Sequence, residues 1–545
     1  MLATMHQRLM IGMLIYGGIA VLIVLRLTYL AAFGDHAGRK GGAIDLAPER
    51  GDIVDRDGQP LALTIDAWTI GLQPSKVIGN KLDLAQKLSV LMPEKDSATY
   101  LAMLRSGRSF YYLRRRASPR LVDAINSLGE PGLALSREPD RLYPQTVLAA
   151  HVLGFTDVDG HGSAGVERAF NDRLRDPSKR GTPLTLSISG RIQQALEHEL
   201  SDAMTEFSAI GAAGVIMDIH TGEILALTSL PQLNPNAAGK GSSEARFNRA
   251  TLGVYELGST FKPFTVAMAM DSGTIKSMGQ MYNCPRELHV ANRVIHDTHP
   301  FGRACSVAEI MMESSNIGTA QIADQVGPTR QKAFLKRMGF LDKVQVEFKE
   351  RGRTLTPGND WNQIATMTVG YGHGIAVTPL HLATGYSSLF NGGMYHPATI
   401  IKVNRNHPVG PAHRVFTEET SYKMRSLLRL VVTKGTGKKA DAPGYRLGGK
   451  TGTAEKLIGG HYSSAAVVTS FAGVFPMDEP RFVMVMMLDE PKATAKTYGF
   501  HTAGWNVAPA FGRTVTRIAP MLGVRPDKKR EPNMVEVLPY VHEKE

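Results

Sequence analysis

Three short segments of this 545-residue chain place hydroxyl, amine and amide side chains at spacings that could build an activated serine. Ser259-Thr-Phe-Lys262 follows Tyr255-Glu-Leu-Gly258 and opens an apolar run to Met270. If Ser259 begins a helix, Lys262 lies one turn later on the same face, within reach of the hydroxyl. A helix start also turns backbone N–H groups toward an oxyanion forming beside it. Ser314-Ser-Asn316 falls inside an otherwise helical stretch. Lys450-Thr451-Gly452-Thr453 follows Gly448-Gly449, and the glycine after Thr451 lets a substrate lie close along a strand.

Each segment alone is commonplace, and a lone SxxK usually marks an ordinary helix start. The three in this order, 55 residues apart and then 136, are far more specific. A competing pattern overlaps the third. Gly444-Tyr-Arg-Leu-Gly-Gly449-Lys450-Thr451 fits the phosphate-binding GxxxxGK[ST] loop, and Val483–Leu488 with Asp489 imitates its acidic strand. That loop needs an apolar strand before it and a long helix after it. Lys439–Tyr445 is polar and contains Pro443, and Gly459-Gly460 follows Thr451 too soon for a helix. The nucleotide-binding reading is rejected.

The elements that must position the three segments are legible in the periodicity. Ile192, Leu196, Leu200 and Met204 recur every four residues, as on an amphipathic helix. Val215–Ile219 and Ile224–Leu227 flank His220-Thr-Gly222, a hairpin signal, and Ala465–Phe475 and Arg481–Leu488 form a second around Pro476–Pro480. Between them Ser306 and Glu309 read as a capping box, and further helices are expected at about 328–339 and 417–433. Hairpins at both ends with helices between specify an α+β domain around an antiparallel sheet, spanning 186–524. Before it, residues 44–185 mix short strands and helices with no catalytic cluster, and Asp57-Gly58 reads as a tight turn between short strands. Residues 525–545 are charged and are expected to trail loosely.

Composition narrows the class. With 43% hydrophobic and 21% charged residues the chain is foldable, and a mean hydropathy of −0.13 allows one membrane span but not several. The net charge of +12 fits nucleic acid, anionic lipid or an anionic wall polymer equally well. Its densest basic run is Arg105, Arg108, Arg114, Arg115, Arg116 and Arg120, interleaved with Phe110, Tyr111 and Tyr112. Such a mixture can stack on nucleic acid, but a solvated face beside a strand is the commoner explanation. Two cysteines, Cys284 and Cys305, exclude a disulfide scaffold and a four-cysteine zinc module. His289, His296 and His299 lie between them at spacings that match no compact zinc template, so a zinc site, a disulfide and ordinary residues all stay open.

Leu9 to Leu25 is free of charge, and the apolar character resumes after Arg26 to Phe33. At ~1.5 Å per residue these stretches span about 26 and 37 Å, bracketing a ~30 Å bilayer core. Residues 9–33 are therefore expected to be a retained membrane anchor, after a short cytoplasmic tail (1–8) and before a Gly-rich linker (34–43). Flanking charges, Arg8 against Arg26, Arg39 and Lys40, do not favour export, yet so short a leading tail leaves no room for a domain.

The S-x-x-K, S-x-N and K-T-G set resembles that of the penicillin-recognising serine enzymes. Arg50-Gly51-Asp-Ile-Val-Asp-Arg-Asp-Gly-Gln-Pro-Leu-Ala62 resembles the opening signature of the non-catalytic pedestal of class B penicillin-binding proteins, and Gly165-Val-Glu167 resembles its later G-x-E motif. Gly370-Tyr-Gly-His-Gly374 and Thr378-Pro379 resemble the transpeptidase domain, while Asn248–Tyr255 and Ser314–Ala320 look most like the division-type, or septal, members. The likeness spans about residues 9–524; Leu257, where many relatives carry proline, and the very short cytoplasmic tail depart from the pattern.

This resemblance implies a transpeptidase domain of the penicillin-binding-protein/β-lactamase-like fold on a mixed α/β pedestal, exposed to the periplasm from a single span in the inner membrane. It implies acyl transfer from a D-Ala-D-Ala peptide to an amine of a neighbouring stem peptide, with β-lactams as mimics and no metal or other cofactor. Ser259 is then the nucleophile and Lys262 its base. Ser314 relays a proton, Asn316 holds the substrate amide and Lys262, and Lys450, Thr451 and Thr453 receive the terminal carboxylate. The N–H groups of Ser259 and Thr453 are the implied oxyanion hole. Free lysine titrates near ~10.4, so a neutral Lys262 at pH 7 requires roughly 4–5 kcal/mol from its surroundings. Arg50 and Glu167 are expected to pair across the pedestal. The implied partners are division-complex membrane proteins including a glycan polymerase, and not nucleic acid. An elongation-type transpeptidase, a membrane-anchored β-lactamase or penicillin sensor, and a non-catalytic division scaffold are the alternatives.

Overall fold

The computed structural model describes residues 49–291 and 293–542, with helical positions scattered between 10 and 24. The expected tail (1–8), anchor (9–33) and linker (34–43) fall wholly or mostly outside these residues. Among the described residues no helix is long and apolar enough to cross a membrane.

The pedestal is built on a mixed sheet. Strand β1 (Ile53–Val54) pairs antiparallel with β2 (Pro60–Leu72) and parallel with β5 (Leu184–Thr185), while β2 also carries β3 (Tyr111–Ala117) and β4 (Leu133–Leu142), both antiparallel. The Asp57-Gly58 turn thus joins one short strand to one of 13 residues. Asp55 shapes that turn by accepting from the N–H groups of Asp57 at 2.9 Å and Gln59 at 2.8 Å. Its other carboxylate oxygen accepts from Gly190 N–H at 3.0 Å, at the start of the helix Gly190–Glu206. Ile70 and Leu72 of β2 are buried among Leu84, Leu88, Tyr100 and Leu104 of two helices that cover one sheet face.

Arg50 and Glu167 meet as expected, but not alone. Arg50 Nη2 lies 2.7 Å and Arg141 Nε 2.6 Å from opposite oxygens of the Glu167 carboxylate, and all three side chains are buried. Tyr143 donates to the same carboxylate at 3.2 Å, and Arg50 continues to the Gly160 carbonyl and Asn171. In the G-x-E motif the glycine is required: Gly165 has φ +58° and a Cβ there would lie 2.5 Å from the Gly154 nitrogen. Gly51 is not required on those grounds, since its nearest neighbour to a Cβ would be an ordinary 3.7 Å contact with the Leu174 carbonyl.

The larger sheet runs β8 (Gly448–Ile458), β9 (His461–Phe475), β10 (Phe482–Asp489), β6 (Gly211–Asp218), β7 (Ile224–Leu230), all antiparallel. Both hairpins expected from the sequence are present. Alternate residues of β10 face opposite layers: Met484, Met486 and Leu488 pack with the helices Gly190–Glu206 and Val507–Ile518, and Val483, Val485 and Met487 pack with the inner helices. Burial on both faces explains why these strands read as unbroken apolar runs.

The expected helices appear as Pro328–Arg337 and Glu418–Thr433, and Ser306 with Glu309 forms the capping box of Val307–Glu313. Cys284 and Cys305 are joined in a disulfide between two paired strands, so neither is free to ligate zinc.

The C-terminal tail does not trail loosely. Arg429 makes two 2.7 Å bonds to Glu531, Val537 is fully buried, the Tyr540 carbonyl accepts from Ser306 at 2.6 Å, and His542 meets Glu309 at 2.8 Å. The charged composition of 525–531 conceals that Glu531 has a buried partner and that apolar Met534 and Val537 have a core to enter.

The triad on Glu167 generates a test of the pedestal. Glu167→Ala leaves two buried guanidinium groups without their acceptor and is expected to lower stability by about 3–5 kcal/mol. Exchanging the charges of Arg50 and Glu167 is expected not to restore it, because an arginine at 167 would face Arg141. Chemical denaturation measures both, and wild-type stability of Glu167→Ala would exclude the triad as a structural node.

Candidate active site

The three motif segments converge on one edge of the larger sheet. Ser259 lies in the 3₁₀ turn Gly258–Phe261, and Lys262 is the first residue of the helix Lys262–Asp271. Three residues per turn place positions i and i+3 almost in line, so the 3₁₀ entry brings Ser259 and Lys262 to one face more directly than an α-turn would. The turn is pinned from three sides. Thr260 donates to the Leu257 carbonyl at 2.9 Å, Tyr386 donates to the Thr260 carbonyl at 3.0 Å, and the outer edge of β8 lies against it. Close approach there demands glycine. A Cβ on Gly452 would lie 2.3 Å from the Leu257 carbonyl oxygen, and one on Gly372 2.0 Å from that of Gly258.

Ser314 interrupts the helical stretch that the sequence suggested. It adopts φ +64°, ends Val307–Glu313, and hands the chain to Ser315, the N-cap of Asn316–Val326. A side chain in the left-handed region is uncommon and needs surrounding structure to hold it. The break turns both the carbonyl and the hydroxyl of Ser314 onto Lys262, whose Nζ lies 3.1 Å from Ser314 Oγ and also donates to the Ser314 carbonyl.

Lys262 and Lys450 are both fully buried. Burial pushes the Lys262 amine well below the usual lysine range, the Lys450 charge pushes it further, and Asp297 opposes both. Burial alone lowers Lys450 to about 7. The Lys450 amine reaches Thr436 Oγ1 and Thr451 Oγ1, each at 3.5 Å, and these hydroxyls bond each other at 2.9 Å. Thr453 accepts from Ala503 N–H at 3.0 Å and keeps its own proton to donate. The site therefore offers an amine shifted toward its neutral form beside one serine and a second amine ringed by hydroxyls. It can activate a nucleophile at one end and bind a carboxylate at the other.

Asn316 departs from the expected arrangement. Its Nδ2 donates to the His296 carbonyl at 2.8 Å, and Lys262 bonds Ser314 instead. As the first residue of its helix, Asn316 is turned toward the 285–304 segment that packs on that end.

Several neighbours escaped the sequence reading. Asp297 accepts from Ser315 Oγ at 2.6 Å and Ile317 N–H at 3.0 Å, and also from Asn316 N–H, so one carboxylate caps the start of Asn316–Val326. Thr436 enters from just beyond the end of Glu418–Thr433. Glu256, beside the Ser259 turn, accepts from Gly374 N–H at 3.1 Å and Tyr462 at 2.9 Å. No spacing rule marks Asp297. A polar residue opposite a helix N-terminus across a loop has no local signature.

Two family models cover the described domains. Residues 45–202 match the penicillin-binding protein dimerisation domain and residues 212–510 the penicillin-binding protein transpeptidase domain. The chain is 39% identical over 507 residues to a probable peptidoglycan D,D-transpeptidase FtsI of Caulobacter vibrioides, covering 91% of this chain and 85% of that one. It is 30% identical over 515 residues to the peptidoglycan D,D-transpeptidase FtsI of Escherichia coli K12, covering 88% and 85%. In fold it is similar to the crystal structure of penicillin-binding protein 3 of Mycobacterium tuberculosis complexed with aztreonam, with a TM-score of 0.69, 24% identity, and coverage of 88% and 98%. With a serine–lysine pair against a K-T-G strand, on a pedestal that matches its own family model, the chain belongs to the penicillin-binding protein transpeptidases that carry an N-terminal dimerisation domain.

Proposed function

We propose that the protein is a septal peptidoglycan D,D-transpeptidase that cross-links stem peptides through an acyl-serine and releases D-Ala during cell division. The observation that carries this reading is the buried Lys262 amine, 3.1 Å from Ser314 Oγ and one 3₁₀ turn from Ser259. Ser259 Oγ attacks the penultimate carbonyl and gives its proton to the Lys262 amine. The N–H groups of Ser259 and Thr453 receive the oxyanion, where one donor is worth about 3–4 kcal/mol. As the tetrahedral intermediate collapses, the proton passes through Ser314 to the departing D-Ala nitrogen. An acceptor amine then attacks the acyl-serine, and its proton returns to Ser259 by the same route. Lys450, with the Thr451 and Thr453 hydroxyls, suits the terminal carboxylate of the donor, and Gly452 lets it lie close. A β-lactam enters the same way, but its opened ring stays tethered and blocks attack by water. The pedestal distinguishes this chain from a free-standing β-lactamase.

Residues 9–33 are the membrane anchor in this reading, supported by the charge-free run Leu9–Leu25 and the apolar stretch that resumes after Arg26, and they hold the catalytic domain in the periplasm. The septal role brings division-complex membrane proteins, including a glycan polymerase, as partners.

Incubation with penicillin is expected to add one penicillin mass to a tryptic peptide containing Ser259. Ser259→Ala should abolish the adduct and stay folded, and Lys262→Ala should slow acylation by about 10²–10⁴. Labelling that persists in Ser259→Ala, or maps to Ser314, would falsify the nucleophile.

The two lysines also set a pH profile. The second-order acylation rate should fall at low pH as Lys262 gains a proton, and fall again as pH rises past about 7, where Lys450 loses the charge that receives the carboxylate. A rate that climbs steadily to alkaline pH would mean that Lys450 is not the carboxylate receptor.

Deleting residues 1–33 is expected to move the protein from the membrane to the soluble fraction. Membrane retention of the truncated chain would reject the anchor.

A further inference from the structure

The run of arginine and aromatic residues at 105–120 takes no part in the cleft. Arg105 closes the helix Ser97–Arg105, and Tyr111–Ala117 is β3, an edge strand of the pedestal sheet. Six arginines and no Asp or Glu lie between Arg105 and Arg120. Arg114 pairs with Glu94 and Arg116 with Asp140. Arg105, Arg108 and Arg120 are exposed and, among the described residues, have no acidic partner. Among the described residues, exposed Arg115 meets only the Val158 carbonyl, at 3.3 Å, besides the ring over which it lies.

That ring contact is part of a built stack. Arg115 lies 4.3 Å over the Tyr112 ring and Arg108 5.4 Å over Tyr111. Tyr112 packs edge-on against Phe110 at 4.9 Å, and Phe110 fills the space over Gly71, where a Cβ would meet its ring at 2.4 Å. A guanidinium held over a ring face can keep N–H groups free for the bidentate geometry that a carboxylate matches. Charge on an edge strand guards against pairing with other strands. That purpose explains neither the stacked guanidinium groups nor the unpaired arginines flanking the strand at 105, 108 and 120.

We propose that this face of the pedestal binds the carboxylates of a peptidoglycan strand, at a second site apart from the catalytic cleft. The inference rests on the transpeptidase reading, which puts stem peptides ending in carboxylates beside the pedestal. A strand repeats that anion at each stem, and the unneutralised arginines give the complementary repeated cation. Bound there, a strand stays near the enzyme between turnovers of the cleft.

The test uses the full-length protein in detergent, first acylated with penicillin so that the cleft is blocked, and sedimented with purified sacculi. Wild type is expected to pellet, less so at high salt. R105E/R108E/R120E is expected to weaken retention by about tenfold or more, and the R105Q/R108Q/R120Q triple to weaken it less, both with penicillin labelling unchanged. Sacculi whose carboxylates have been amidated should lose the wild-type protein as the charge reversal does. Equal pelleting of wild type and both triples overturns the proposal, as does failure of acylated wild type to pellet. Loss of binding to phosphatidylglycerol vesicles in the triples, with sacculus retention intact, overturns it in favour of a lipid-facing surface. Penicillin labelling without sacculus retention rejects this site alone, whereas absence of labelling in wild type rejects the transpeptidase reading.

Discussion

The Lys262 amine is fully walled off from water, and its enclosure imposes its terms on the rest of the catalytic domain. Removing a charged ammonium from water costs several kcal/mol even after relaxation, so burial lowers the amine's hold on a proton and favours the neutral form, the form that can take a proton from a hydroxyl. Walls close enough to do this leave no room for side chains where backbones touch, hence glycine at 372 and 452. Lys450 is buried from a different element, a strand rather than a helix, so the two amines share one enclosure without sharing one support. Charge on one disfavours charge on the other. In the proposed reading, a substrate carboxylate beside Lys450 settles which of them is the cation.

The same enclosure explains the apparatus behind Ser314. A left-handed residue that aims two oxygens at Lys262 persists only where the helices on either side are held, and Asp297 holds the second by three hydrogen bonds. Asp297 sits on the segment between Cys284 and Cys305, and the disulfide closes that segment at its base. The capping box of Ser306 and Glu309 begins the first helix directly after the disulfide, and the chain's C-terminal residues Tyr540 and His542 bond to that same pair. A covalent tie, a cap and a docked tail thus brace the two short helices that meet at Ser314.

What was legible in the sequence was whatever depends on local order. Both hairpins, the Gly190–Glu206 helix and the capping box follow from periodicity and turn chemistry over a few residues, and the catalytic motifs follow from short spacings. What was not legible depends on partners far apart in the chain. Asp297, Thr436 and Arg141 have ordinary local contexts, and only the fold brings them to Ser315, Lys450 and Glu167. The tail misled for the same reason: Lys528, Lys529 and Arg530 advertise solvent, while docking residues such as Glu531 and Val537 are informative only beside Arg429 and the core.

The pedestal shows why a motif is better read as a node than as a pair. Arg50 and Glu167 lie 117 positions apart, and an isolated surface pair of that kind would be worth about 0–1 kcal/mol. Buried, the pair alone would leave half of the carboxylate unmet. Arg141 and Tyr143 complete it from the end of β4, while Arg50 reaches on to the Gly160 carbonyl and Asn171. One carboxylate therefore gathers the start of the pedestal, its long central hairpin and the G-x-E segment. Four residues beyond Gly51, Asp55 carries the connection to Gly190, where the catalytic domain's first helix begins. Arg50 and Asp55 are close in sequence because they are two ends of one clamp: the first gathers the pedestal onto itself, and the second fastens it to the domain that does the chemistry.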